Sequence, residues 1–242
     1  MLMHESNFMH KIFSMQQAKD KIPDAGLPLT EQALISLRRD VTMGIFEPGK
    51  KLKVDELQAI YGFSSSPLRE ALSKLSQEGL IRADDRKGFR VAEISKADLE
   101  DITHMRLMLD VQALELAIEL GDDEWEAGIV SAHYKLDKLE RTLGDGPVVL
   151  DEIWIGAHKE FHMALLGACA STRLQQWCSS LFDQAERYRQ FSARHRQTGR
   201  RKSSEHKKIM DAVLKRDAAT ACSLLTDHIS STQKNVLAAL NF

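Results

Sequence analysis

The first apolar stripe of the chain is Leu34, Leu37, Val41 and Ile45, spaced by threes and fours. It predicts a helix from Leu29 to Gly44 with Thr30 as its cap, closed by a turn at FEPG. A second helix, Lys53 to Tyr61, buries Leu57 and Ile60 and stops at Gly62. In Gly62 to Gly79, GFSSSPLREALSKLSQEG, the hydroxyls of Ser64, Ser65 and Ser66 are placed to cap free N–H groups, and Pro67 fits a first helical turn. Ala71, Leu72 and Leu75 give that third helix one apolar face and leave Arg69 and Lys74 to solvent. Leu80 to Ala83 and Phe89 to Ala92 read as a hairpin joined through DDRKG, with Arg86 and Lys87 at its tip. Three short helices, the last two joined by a tight turn, and then a hairpin, is the order of a winged helix-turn-helix.

From Ser95 the period is helical throughout and no alternating segment occurs. Cap and stop residues divide this part into six helices: Ser95, with Asp98 completing a capping box, to about Gly121; Asp122 to Gly144; about Val148 to Gly167; Ser171 to about Gln197; Ser203 or Ser204 to Arg216; and Asp217 to Ala239. The expected fold is mostly α: an N-terminal winged helix-turn-helix of three helices plus a β-hairpin, then an all-α six-helix bundle. The expected boundaries are a loose tail over 1–28, the winged helix over 29–94 and the bundle over 95–242.

Charge does not reveal a nucleic-acid-binding region. Net charge is −2, and in residues 29–93 eleven Lys/Arg face ten Asp/Glu, so any DNA contact must come from local placement. The candidates are Arg38 on the first helix, Ser64, Ser65, Ser66, Arg69 and Lys74 at the third helix, and Lys87, Gly88 and Arg90 of the wing. For any single cation the plainer explanation is a solvated surface charge. Cys169, Cys178 and Cys222 lack CxxC spacing and fit core thiols in a reducing compartment. The N-terminal segment has no continuous apolar core, so neither a signal peptide nor an anchor is expected, and the location is cytoplasmic with no membrane partner.

Four histidines fall where the helical period wants apolar residues. His158 and His162 share a face with Ile155, Leu165 and Leu166; His206 shares one with Ile209, Met210 and Val213; His228 with Ala221, Leu224 and Leu225. A single such histidine is ordinarily a hydrogen-bonded core residue. Four of them on three helices point to a divalent cation, which neutral imidazole suits. Arg106 likewise occupies an apolar slot in the row Leu99, Ile102, Leu109, Ala113. A buried guanidinium needs an anion, either Asp110 in a structural pair or the carboxylate of a ligand. Tyr188 is a weaker ligand candidate, since aromatic core packing is the more common explanation.

The segment IFEPGKKLKVDELQAIYGFSSSPLREALSKLSQEGLI followed by GFRV resembles the GntR superfamily of bacterial transcription regulators. The helical remainder, with HKEFHMAL and the late histidines, resembles the FCD effector domain of the FadR-like branch. GDDEWEA, the H-x-x-F-H pair and ERYR are most similar to the carbon-starvation-induced regulator type. The resemblance implies a homodimer on an inverted-repeat double-stranded operator, usually a repressor, released by a small organic acid such as a short dicarboxylate or 2-hydroxy dicarboxylate. It also implies a divalent metal, Zn before Ni or Mn, on His162, His206 and His228. His158 stands where the family has Asp, and Ser65 where it has an Arg that reads guanine. In this reading Arg106, Tyr188 and the four histidines form the effector site, with the histidines either holding the metal or meeting the effector directly. A metallohydrolase is the rival class. It lacks the Glu that a zincin carries directly after its first His, because Lys159 follows His158.

Overall fold

The computed structural model describes residues 26–84, 88–142, 151–195 and 204–240. The expected tail before residue 26, the wing-tip residues Arg86 and Lys87, and the ends of several helices near Gly144, Val148, Gln197 and Ser203 lie outside the described residues. The chain divides into two units, Met1–Glu93 and Ile94–Phe242.

In the first unit, α1 (Leu29–Thr42), α2 (Val54–Tyr61) and α3 (Ser65–Gln77) enclose a core of Leu34, Leu37, Val41, Leu57, Leu68, Leu72 and Leu75. α1 starts at a Pro28 N-cap rather than at Thr30, whose hydroxyl lies inside the helix and reaches Glu70 Oε2 at 3.2 Å. It ends at Thr42, so Ile45 falls in the turn and Phe46 fills the core instead. Gly62 ends α2 at φ 76°, the left-handed conformation that a Cβ disfavours. Tyr61 donates a 2.5 Å hydrogen bond to buried Asp40, tying the end of α2 to α1.

The wing strands β2 (Ile81–Asp84) and β3 (Gly88–Val91) form the expected hairpin one residue displaced. A strand absent from the sequence reading, β1 (Lys51–Leu52), pairs on the other side of β3 in the order β1-β3-β2. Two residues carry no period, which is why β1 left no signal. The register places Lys51 opposite Arg90 and Arg90 opposite Arg82, so one sheet face carries a row of three cations. Ile81, Val91 and Leu52 are buried on the other face.

The second unit holds six helices among the described residues: α4 (Lys96–Leu120), α5 (Asp123–Thr142), α6 (Glu152–Leu165), α7 (Thr172–His195), α8 (Glu205–Leu214) and α9 (Ala218–Leu240). Ser95 caps α4 by accepting from the Asp98 N–H, and Asp151 caps α6 by accepting from the Trp154 N–H. The main core joins Leu114 and Ala117 of α4, Ile129 and Leu136 of α5, Trp154, Phe161 and Leu165 of α6, Ile209 and Val213 of α8, and Leu225 and Ile229 of α9. A smaller cluster of Leu99, Ile102, Ala185, Tyr188 and Val236 holds the start of α4 against α7 and α9. Among the described residues no helix is long and apolar enough to cross a membrane.

A buried four-histidine centre and an exposed recognition helix

α6 brings His158 and His162 onto one face, because residues four apart lie one turn above each other, and α8 and α9 add His206 and His228. All four are buried, and one ring nitrogen from each lies within 4.8 Å of the others. The Nε2 atoms of His158 and His162 are 3.2 Å apart. Metal–imidazole bonds of about 2.0–2.1 Å place neighbouring ligand nitrogens a little over 3 Å apart, so this separation suits chelation. Neither ring nitrogen of His206 has a hydrogen-bond partner among the described residues, an arrangement that a buried polar group does not adopt without reason.

Burial pushes the His158 and His162 pKa values well below the usual 6.5. The Arg189 charge adds to this at His158 and the His228 ring at His162. Burial also lowers His228, to about 4, against the opposing pull of Glu205. These rings are therefore neutral near pH 7, the form in which imidazole ligates metal. The donor set of four nitrogens fits Zn or Ni better than Mn, which prefers oxygen.

Carboxylates stand behind three of the rings on their Nδ1 sides: Glu205 Oε2 at 2.7 Å from His228, Glu140 Oε1 at 3.6 Å from His206, and Glu186 Oε2 at 3.9 Å from His158. A carboxylate behind a ligating histidine fixes its tautomer and raises its basicity. Here these groups bring negative charge close behind the ligand set. Sequence reasoning missed all three. Glu205, half-exposed at the start of α8, occupies a position that reads as solvent-facing, so its contact with His228 leaves no mark in the sequence.

Arg106 is buried, and its Nε and Nη2 donate to Asp110 Oδ2 at 2.9 and 2.8 Å. Its guanidinium lies 5.2 Å from the Phe182 ring centre, and that of Arg189 lies 4.9 Å away; Phe182 in turn sits 5.4 and 5.3 Å from His158 and His162. Arg106 thus borders the centre while held by a structural ion pair. Tyr188 is not brought to the histidines. Its hydroxyl donates to Asp98 Oδ2 at 2.7 Å and accepts from the Ser95 N–H at 3.1 Å, anchoring the start of α4. Glu160, the nearest acid to the histidine pair in sequence, is exposed and bonded to Lys135 at 2.6 Å.

On the first unit, Ser64, Ser65, Ser66, Arg69 and Lys74 are exposed around the N-terminal end and outer face of α3, while Leu68, Ala71, Leu72 and Leu75 are buried beneath them. Ser64 occupies the N-cap position, but its side chain makes no cap hydrogen bond, and the Ser66 hydroxyl turns to Glu70 at 3.2 Å. The expected N-cap bond from Ser64 is thus not made, and its exposed hydroxyl stands at the start of α3. Arg38 is half-buried in a two-pronged pair with Glu78, at 3.0 and 2.6 Å, which clasps α1 to the end of α3. Arg90 reaches Asp84 at 2.7 Å and the Gly49 carbonyl at 3.3 Å; Gly88, at φ 90°, starts β3 beside the wing tip. Lys87 lies outside the described residues.

Comparison with known proteins bears on both units. The family model described as bacterial regulatory proteins, gntR family, matches residues 29–91, and that described as FCD domain matches residues 101–231. The chain is 38% identical over 205 residues to the HTH-type transcriptional regulator BphR of Paraburkholderia xenovorans, covering 84% of this chain and 83% of that protein. It is 37% identical over 197 residues to the HTH-type transcriptional repressor GlaR of Escherichia coli, covering 80% and 89%. The solved structure of E. coli McbR/YncC shares the fold, at a TM-score of 0.73 and 20% identity over 89% of this chain and 98% of that one. An exposed helix-turn-helix and a buried histidine centre, each inside a matching family segment, place the chain in the GntR family of bacterial regulatory proteins with an FCD domain, as a DNA-binding, ligand-responsive transcription regulator.

Proposed function

We propose that this regulator is a cytoplasmic homodimeric repressor that leaves an inverted-repeat operator when its helical unit binds a small organic acid at a cation centre. GntR regulators bind DNA and act as dimers. The observation that carries the reading is the convergence of four buried imidazoles from α6, α8 and α9 within 4.8 Å. His158, His162, His206 and His228 would hold the cation, Zn before Ni, and FCD domains often bind metals. A bound cation would supply the positive charge that attracts a carboxylate. Arg106 offers a fork-shaped donor beside the same space, and Asp110 keeps it oriented. In the DNA-binding unit, Arg69, Lys74 and the Ser64–Ser66 hydroxyls contact the duplex, and the exposed Lys51 and Arg82, on either side of the Asp84-bound Arg90, are available to phosphate.

The acid is proposed to be a short dicarboxylate or 2-hydroxy dicarboxylate, which a cation and a guanidinium could hold by its two ends. Fluorescence anisotropy with the DNA upstream of the protein's own gene and a panel of such acids tests this. Tight, sequence-dependent binding that one acid weakens is the expected result. Binding no tighter than to unrelated DNA would overturn the operator proposal, and indifference to the whole panel would overturn the acid class.

A further inference from the structure

Arg189 enters the histidine centre although the apolar period of α7 does not mark it. Its Nη1 is 3.3 Å from His158 Nε2, and its Nη2 pairs with Glu186 one turn earlier on the same helix. A guanidinium only donates, so His158 Nε2 accepts, and the neutral ring carries its proton on Nδ1, the side on which Glu186 stands. His162 Nε2 approaches the same atom at 3.2 Å. An imidazole nitrogen has one lone pair, and a cation held by His158 through Nε2 needs it. His158 is fully buried and Arg189 is 9% exposed, so water does not relieve the conflict. A carboxylate at position 158 would have lone pairs enough for a guanidinium and an ion together. The conflict is therefore peculiar to the histidine that this chain carries.

Resting on the metal reading above, we propose that Arg189 sets the affinity of the centre: it competes with the cation for the Nε2 lone pair of His158 and so sets how tightly the ion is held. The sign is opposite to that of a supporting residue, because loss of Arg189 strengthens the site.

The test is a zinc titration of the chelator-stripped full-length chain against a chromophoric competitor, for the native sequence, Arg189→Met, His158→Leu and the double variant. Arg189→Met is expected to tighten zinc by about tenfold, the scale on which outer contacts tune metal sites. In the His158→Leu background the same change is expected to shift affinity by less than about twofold, since the contested atom is gone. Unchanged or weaker zinc binding in Arg189→Met overturns the competition, and so does an equal gain in both backgrounds, which charge removal alone would give. Zinc taken up by none of the four proteins overturns the metal reading, and this inference falls with it. If Arg189→Met has no cooperative thermal transition, Arg189→Leu, which also lacks a donor, carries the same expectation.

Discussion

At the scale of residues, the second unit is defined by polar groups that its core encloses. Arg106 and Asp110 form a buried pair. Arg106→Ala would leave the Asp110 carboxylate without that partner, and breaking a buried pair from one side costs about 3–5 kcal/mol. Replacing both, as in Arg106→Met with Asp110→Leu, should recover most of that loss, and chemical denaturation of the three proteins measures it. A double variant no more stable than Arg106→Ala would show that the pair is not the source of the effect. In the first unit, Tyr61→Phe removes one donor from buried Asp40 and should lower stability by about 1–3 kcal/mol, seen as a lower denaturant midpoint at constant slope. His158, His162, Arg106 and the late histidines were legible in the sequence because a polar residue in an apolar slot breaks a period. Glu186, Arg189 and Gln190 were not. The second half of α7 is buried nearly all round, so its charges interrupt no single apolar stripe and leave no mark in the period.

At the scale of elements, α3 separates docking from reading. Its apolar face is fixed on α1 and β2, while Arg69 and Lys74 are exposed. Arg69→Ala should therefore leave thermal stability unchanged, weaken DNA binding and lower the slope of log affinity against log salt by about 1, the signature of one lost phosphate contact. A variant with unaltered DNA affinity would remove Arg69 from the interface. The three helices of the first unit and their order were legible because Leu34, Leu37 and Val41, then Leu57, then Leu72 and Leu75 occupy helical positions, with Gly62 and Gly79 marking the stops of the second and third helices. β1 was not, because two residues that join a sheet only through distant β3 have no local pattern. The caps differed too: Thr30 and Ser64 have the right chemistry, but Pro28 starts α1 and the Ser64 side chain makes no cap bond. A free hydroxyl at the start of a recognition helix costs a little helix stability and leaves a donor and acceptor for DNA.

At the scale of the whole molecule, a DNA-binding unit ending at Glu93 is followed by a ligand-responsive unit beginning at Ile94. Coupling between such units is typically about 1–3 kcal/mol, enough to change operator affinity some five- to 150-fold. The sensing unit should also be acid-sensitive. His158, His162 and His228 titrate below the 6.5 of an unfolded histidine, so below that pH the unfolded chain binds protons that the folded unit does not. Stability is then lost as pH falls from 6.5, and for His228 the loss continues to about 4, where the folded ring takes up its own proton. A thermal midpoint lower at about pH 5 than at about pH 7 is expected, and a midpoint constant over that range would contradict the buried neutral rings. The central claim is that the four histidines hold a cation in the folded protein. Thermal unfolding of the chelator-stripped full-length chain with and without added zinc tests it most directly, because an ion that binds the folded state raises the midpoint. The account predicts a clear rise that is lost in His206→Ala; no rise in the native sequence, or an equal rise in the variant, would contradict it.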